Sequence, residues 1–120
     1  MVSVVFDVYS GRSNPQWDLS EAESERLASR LETLNVSRAN CEISRDRLGL
    51  RAIDISGIDT SYGTNSEVTI YPEGSVAILP PDHPEVCLAD PEHEVLKLIL
   101  SDAEGHVDET ALKEIWKELE

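Results

Sequence analysis

The sequence predicts an α+β fold in one domain, residues 1–120, with a mainly antiparallel sheet of about four strands and helices packed on one face. Short runs in which every second residue is apolar predict the strands, and three runs with apolar residues at helical spacing predict the helices. The predicted order is β-α-β-β-β-α-α. Hydrophobic residues make up 40% of the chain, which is enough to form a core without a metal.

The first strand and the first helix have clear local signals. The strand is predicted at residues 2–9, from the alternating apolar residues Val2, Val4, Phe6 and Val8. The helix is predicted at residues 20–34, from three leucines at helical spacing, Leu27, Leu31 and Leu34. Ser20 and Glu23 fit a capping box, in which each side chain accepts from the other residue's backbone N–H.

The middle of the chain predicts one strand and one hairpin. Residues 35–48 have no clear period and are expected to form a loop or an irregular edge strand. A strand is predicted from about Leu50 to Ser56, and a turn-rich connection follows over residues 57–65. The clearest β signal is the hairpin of residues 66–71 and 75–79, with Gly74 at the left-handed position of its turn.

The last third of the chain predicts two helices after a proline-rich acidic loop at residues 80–90. Asp90 is expected to be the N-cap of the first of them, with Pro91 at its first helical position, and Gly105 is expected to end it. Asp108 is expected to cap the last helix. The apolar face of that helix consists of Leu112, Ile115, Trp116 and Leu119.

The net charge of −14 argues against some classes of partner and favours others. Such a field repels nucleic-acid phosphates, so no nucleic-acid binding is expected, whereas a basic peptide or protein would be attracted. No apolar run approaches the roughly 18 residues of a membrane span. The chain begins directly with a predicted strand, which favours the cytoplasm, where Cys41 and Cys87 would be reduced, although a single disulfide remains open.

No catalytic residue, metal site or cofactor is predicted. Acidic and histidine residues gather at 82–93 together with Cys87, but their spacing matches no compact zinc pattern, and a solvated loop is the better account. Residues 102–108 resemble a calcium loop, yet Gly105 comes too early in it. No nucleophile elbow or phosphate-binding glycine loop is present.

The stretch Phe6–Ser20 is the best candidate for a working surface, because a strand, a turn, an aromatic residue and a helix start follow one another closely. Gly11 suits a tight turn, and Asn14 precedes a proline that holds it extended. One interpretation is that Arg12, Asn14 and nearby N–H groups bind a carboxylate or a peptide backbone. The other is that Arg12 pairs with an acid and Trp17 fills the core beneath the loop.

The motif S-G-R-x-N-P-x-W resembles a stretch of the small peptide-binding proteins of crocagin biosynthesis, a ribosomal peptide natural-product pathway. Its residues here are Ser10, Gly11, Arg12, Asn14, Pro15 and Trp17. The resemblance covers about fifteen residues and implies a non-catalytic protein that binds a precursor peptide and presents it to modifying enzymes.

The sequence therefore predicts a peptide-binding site formed by Tyr9, Ser10, Arg12, Asn14 and Trp17. The expected mechanism is strand addition at a free sheet edge. The expected partners are a precursor peptide and the modifying enzymes of the pathway. A homodimer through an edge strand or the Leu112/Trp116 face is a further expectation. The alternatives are a small enzyme acting on the same peptide and an acidic module of the immunity type that docks a folded protein.

Overall fold

The computed structural model describes residues 2–8, 14–37, 41 and 50–119. These residues form seven strands and three helices, which follow in chain order: β1 (Val2–Val8), β2 (Gln16–Leu19), α1 (Glu21–Glu32), β3 (Asn35–Val36), β4 (Leu50–Thr60), β5 (Gly63–Tyr71), β6 (Ser75–Leu79), β7 (Val86–Ala89), α2 (Glu94–Asp102) and α3 (Glu109–Glu118). The α+β class is confirmed.

The strands form one antiparallel sheet in the order β2-β1-β4-β5-β6-β7-β3. Alternate residues of each strand point to one face, which we call the inner face, and join the helices in the core. Its largest fully buried strand side chains are Phe6, Leu50, Ile53, Ile55, Ile58, Ile70, Ile78 and Leu88. Leu27 and Leu31 of α1, Leu96 and Ile99 of α2 and Ile115 of α3 belong to the same cluster. The predicted layer of helices on one face therefore agrees with the core.

The caps of the first and last helices are confirmed. The Ser20 hydroxyl accepts from the Glu23 N–H at 3.1 Å, and the Glu23 carboxylate accepts from the Ser20 N–H at 2.8 Å, as in the predicted capping box. The Asp108 carboxylate accepts from the Ala111 N–H at 3.2 Å and begins α3. Each cap needs only residues within one turn of the helix, so the sequence alone is sufficient to place it.

The predicted start of α2 is wrong by several residues. Asp90 and Pro91 lie in a turn, and α2 begins at Glu94 after His93, whose φ of 56° is left-handed. The Asp90 carboxylate nevertheless accepts from the backbone N–H groups of Glu94 at 2.9 Å and Val95 at 3.0 Å. The Asp90 carboxylate thus accepts hydrogen bonds from the free N–H groups at the start of α2, although Asp90 lies before the N-cap residue His93. Sequence signals for an adjacent cap do not predict this geometry.

The prediction of about four strands in the order β-α-β-β-β-α-α is wrong because it lacks β2 and β7 and leaves β3 open, as a loop or an irregular edge strand. β2 was read as the lead into the first helix, and β7 as part of the proline-rich loop. β3 has only two residues, both exposed. Strands this short carry little periodic signal of their own, and they form because a neighbouring strand offers hydrogen-bonding groups.

The predicted turn after the second strand is also wrong in part. β4 continues to Thr60, and its register against β5 shifts on both sides of Ile58. Gly57 has a φ of 79°, which accommodates the irregularity without ending the strand. The hairpin of β5 and β6 is confirmed, with Gly74 at a φ of 103° in its turn.

A disulfide joins Cys41 to Cys87 of β7, where reduced thiols were expected. The two Cα atoms are 5.6 Å apart, within the range that a disulfide spans. Cys87 pairs with Ala77 of β6 on the outer face of the sheet, the face opposite the helices. Ala52 and Ala77 are buried on this face, so it is not entirely open to solvent. Of residues 35–48, only 35–37 and 41 lie in the described part of the chain.

No helix in the described ranges is both long enough and apolar enough to cross a membrane.

Candidate functional site at the β2 edge

β2 is an edge strand among the described strands, and its contacts with β1 continue to Pro15 and Asn14, which precede it. The Phe6 N–H donates to the Pro15 carbonyl at 2.9 Å, one residue before β2 begins. The Val8 N–H donates to the side-chain Oδ1 of Asn14 at 3.2 Å. Asn14 therefore takes the place of the next backbone acceptor in the ladder. This contact gives Asn14 a structural role next to the predicted binding loop in the chain.

The register of this ladder decides which backbone groups of β2 remain free. In an antiparallel pair, hydrogen-bonded and non-hydrogen-bonded residue pairs alternate. Because Phe6 bonds to Pro15, the next hydrogen-bonded pair is Val4 with Trp17. Gln16 and Asp18 lie at the non-bonded positions, so their N–H and C=O groups point away from β1, toward the open side of the sheet.

The Trp17 side chain projects to the inner face and is buried, with 9% of its surface exposed. Its ring centroid lies 5.1 Å from that of Phe6, and 5.1 Å from that of His106, which stacks on it at an interplanar angle of 4°. The Trp17 Nε1 is buried without a hydrogen-bond partner in the described structure. Through this contact, Trp17 packs the β2 edge against the turn between α2 and α3.

A groove of about 720 Å³ adjoins this stack, and we call it the α3 groove. Its walls are the α2–α3 turn and the first turns of α3, and it is lined by Glu104, Gly105, His106, Val107, Asp108, Glu109, Leu112, Lys113 and Trp116. Three of these side chains are acidic and one is a lysine, whose Nζ lies 3.4 Å from the Glu109 carboxylate. The space beside the Trp17–His106 stack is therefore partly aromatic and net negative.

The turn that carries His106 begins at Asp102, a carboxyl in an unfavourable environment. Burial, followed by the charge of the neighbouring Glu23, raises the pKa of Asp102 above its ordinary value, while Arg26 at 3.7 Å acts in the opposite direction. Asp102 also ends α2, where the helix dipole disfavours an anion. The Ser20 N–H that donates to Glu23 lowers the pKa of Glu23.

Replacing Asp102 by asparagine should stabilise the protein at pH 7. Because the folded-state pKa of Asp102 is raised, its contribution to stability is fully present below the ordinary value of 3.8 and is lost as pH rises through the folded-state pKa. The advantage of Asp102→Asn should therefore be seen at pH 7 and vanish below 3.8. Urea denaturation across this pH range measures it.

Glu94→Gln is the matched control for that experiment. Glu94 pairs with Arg30 across the same two helices at 3.7 Å, but both side chains are about half exposed. Removing this pair should change the stability by less than about 1 kcal/mol and in the destabilising direction. A destabilised Asp102→Asn variant at pH 7 would show that the contact with Arg26 outweighs the burial of Asp102.

The structure describes two of the five predicted site residues. Tyr9, Ser10 and Arg12 lie outside the described residues, so their role stays a prediction. Asn14 is exposed and its Oδ1 accepts from the Val8 N–H, whereas Trp17 is buried in the core. The sequence prediction missed the edge position of Gln16 and Asp18, and the only signal for it was the short alternation of polar and apolar residues from Gln16 to Leu19. No sequence signal pointed to His106.

One of the residues weighed for a metal site, Cys87, forms the disulfide with Cys41. In the described part of the chain, no three His, Cys, Asp or Glu side chains are grouped so that they could hold a metal ion.

Comparison with known proteins adds no functional information. No protein-family model, curated protein or solved structure matches the chain. The geometry of the β2 edge, and the short motif whose last two positions begin β2, are the remaining guides to function.

Proposed function

We propose that this protein is a non-catalytic accessory protein that binds a ribosomal precursor peptide as an added strand at β2 and presents it to modifying enzymes. One observation carries the proposal: β2 begins in the last two positions of the motif that resembles the crocagin peptide-binding proteins, and among the described strands it is an edge of the sheet. The outward N–H and C=O groups of Gln16 and Asp18 are the groups that strand addition requires.

The β2 edge suits a peptide better than the opposite edge does. β3, at the other end of the sheet, has only two residues and so offers few backbone groups to a peptide. The Val36 side chain in it is 62% exposed, so little packing holds β3 in place. β2 has four residues and is held in place by the Trp17 stack and by the capping box at Ser20. A rigid edge lowers the entropy cost of binding, because only the peptide has to become ordered.

Tyr9, Ser10 and Arg12 keep their predicted part in this proposal. They precede Asn14 in the chain, so we propose that they contact one end of a peptide bound at β2. The Arg12 guanidinium would hold a carboxylate or backbone carbonyl of the peptide there. The proposal places the protein in the cytoplasm, where disulfides are ordinarily reduced, so binding is best measured with Cys41–Cys87 both oxidised and reduced.

Gln16→Pro should weaken peptide binding about tenfold or more without unfolding the domain. Proline removes the outward N–H of Gln16 and places its ring at the edge, and an edge strand tolerates proline where the N–H faces solvent. Calorimetric titration with the precursor peptide encoded beside the protein measures the affinity, and mass spectrometry of the peptide tests for any covalent change. Circular dichroism monitors the fold.

The matched control is Gln16→Ala, which removes the side chain and keeps the backbone N–H. This variant should bind the peptide as the unchanged protein does. Equal affinity of Gln16→Pro and Gln16→Ala would mean that the peptide does not pair with β2, and a modified peptide mass would favour the enzyme alternative.

A further inference from the structure

We infer that the strand added at β2 carries a basic side chain opposite Asp18 and apolar side chains at the positions on either side of it. The inference rests on the proposed function and specifies the class of peptide. It follows from the alternation of the strand, because residues next to one another in a strand point to opposite faces. The basic residue would lie on the outer face and its neighbours on the inner face.

Asp18 is available for such a pair. It is exposed, lies at a position whose backbone points outward, and carries its side chain on the outer face. Its Oδ1 accepts from the Ser3 hydroxyl at 3.0 Å, which orients the carboxylate. A residue directly opposite on an added strand would have its Cβ about 5 Å away, within reach of a lysine or arginine head group.

The charge of the strands also favours a basic residue in the peptide. The strands of the described structure contain five acidic residues, Asp7, Asp18, Asp54, Asp59 and Glu67, and a single cation, Arg51. Asp18, Asp54 and Glu67 lie on the outer face, and Asp18 and Asp54 stand between apolar residues that point inward. A basic side chain there would be attracted, and an acidic one opposite Asp18 would be repelled.

The inner face beside β2 favours apolar residues in the added peptide strand. Trp17 and Leu19 point inward and are almost fully buried, and His106 covers one face of the Trp17 ring. Side chains that flank the basic residue of the peptide would project toward this apolar border, where a polar group would lose water without gaining a partner. The preferred sequence is therefore apolar-basic-apolar.

The test uses two acetylated and amidated peptides, Thr-Val-Lys-Val-Thr and Thr-Val-Glu-Val-Thr, added to the ¹⁵N-labelled protein. Backbone amide shifts of Gln16 and Asp18 report binding even at millimolar dissociation constants. The lysine peptide should bind about threefold to tenfold more tightly than the glutamate peptide. Asp18→Lys should reverse that order, and Asp18→Asn, which keeps an acceptor for Ser3, should reduce the preference. Added salt should weaken the preference.

The outcomes separate this inference from the proposed function. If both peptides shift the β2 amides with equal affinity, strand addition stands and the preference for a basic residue is overturned. If a third peptide with serines in place of the valines binds equally well, the apolar positions are overturned. If none of the peptides shifts these amides, strand addition at β2 fails, and the peptide specificity fails with it.

Discussion

Reducing the Cys41–Cys87 disulfide should lower the free energy of unfolding by about 4 kcal/mol. The bond joins two residues with a sequence separation of 46. Closing a loop of this length lowers the conformational entropy of the unfolded chain, which raises its free energy by about 4 kcal/mol at 25 °C. The loss would be a large fraction of the stability of a domain of this size. Urea denaturation with and without dithiothreitol, at fixed pH, measures the difference.

The control for the reductant is the double variant Cys41→Ala and Cys87→Ala. It should resemble the reduced protein in stability, apart from the cost of deleting the buried Cys41 sulfur, and dithiothreitol should have no further effect on it. Equal stability of the oxidised and reduced protein would mean that the unfolded chain is already constrained, so that the bond adds nothing. The same samples show whether peptide binding at β2 depends on the redox state.

Trp17→Ala should destabilise the protein by about 3–5 kcal/mol. The side chain is 9% exposed and packs between Phe6 and His106, so truncation leaves a cavity at the junction of β2 and the α2–α3 turn. Thermal or urea denaturation measures the loss. This expectation also explains why Trp17 is a poor choice for a binding test, since reduced binding would follow from a disturbed edge alone.

Trp17→Phe is the matched control, because it keeps an aromatic ring at this position. It also deletes an Nε1 that has no hydrogen-bond partner in the described structure, so no hydrogen bond is lost. We expect it to cost clearly less than the alanine variant. A double-mutant cycle with His106→Ala should give a coupling of about 0.5–1.5 kcal/mol. Additive effects would show that the stacked rings do not stabilise the turn.

The elements whose signals are local can be predicted from the sequence alone. The capping box of α1, the Asp108 cap of α3 and the Gly74 turn of the β5–β6 hairpin each depend on residues within a few positions of one another. The long alternating run of β1 is a signal of the same kind. These features follow from backbone chemistry that acts within a turn or a strand, and they were sufficient to predict the α+β class.

The short strands and the long-range contacts depend on how the whole chain packs. β2 and β7 have four residues each, and they become strands because β1 and β6 lie beside them with free backbone groups. Whether Gln16 and Asp18 point to a free edge depends on the register with β1, which a single hydrogen bond between Phe6 and Pro15 reveals. The periodicity of β2 alone could not supply that register.

The contact between Trp17 and His106 is the clearest example of a feature that local sequence does not predict. One interpretation of the sequence has Trp17 fill the core beneath the loop, but the ring that stacks on it, His106, lies on a turn in the last quarter of the chain. The Cys41–Cys87 bond likewise joins residues that share no local motif. Such contacts form when the whole sheet and its helices bury their apolar faces together, so no window of sequence contains the information that determines them.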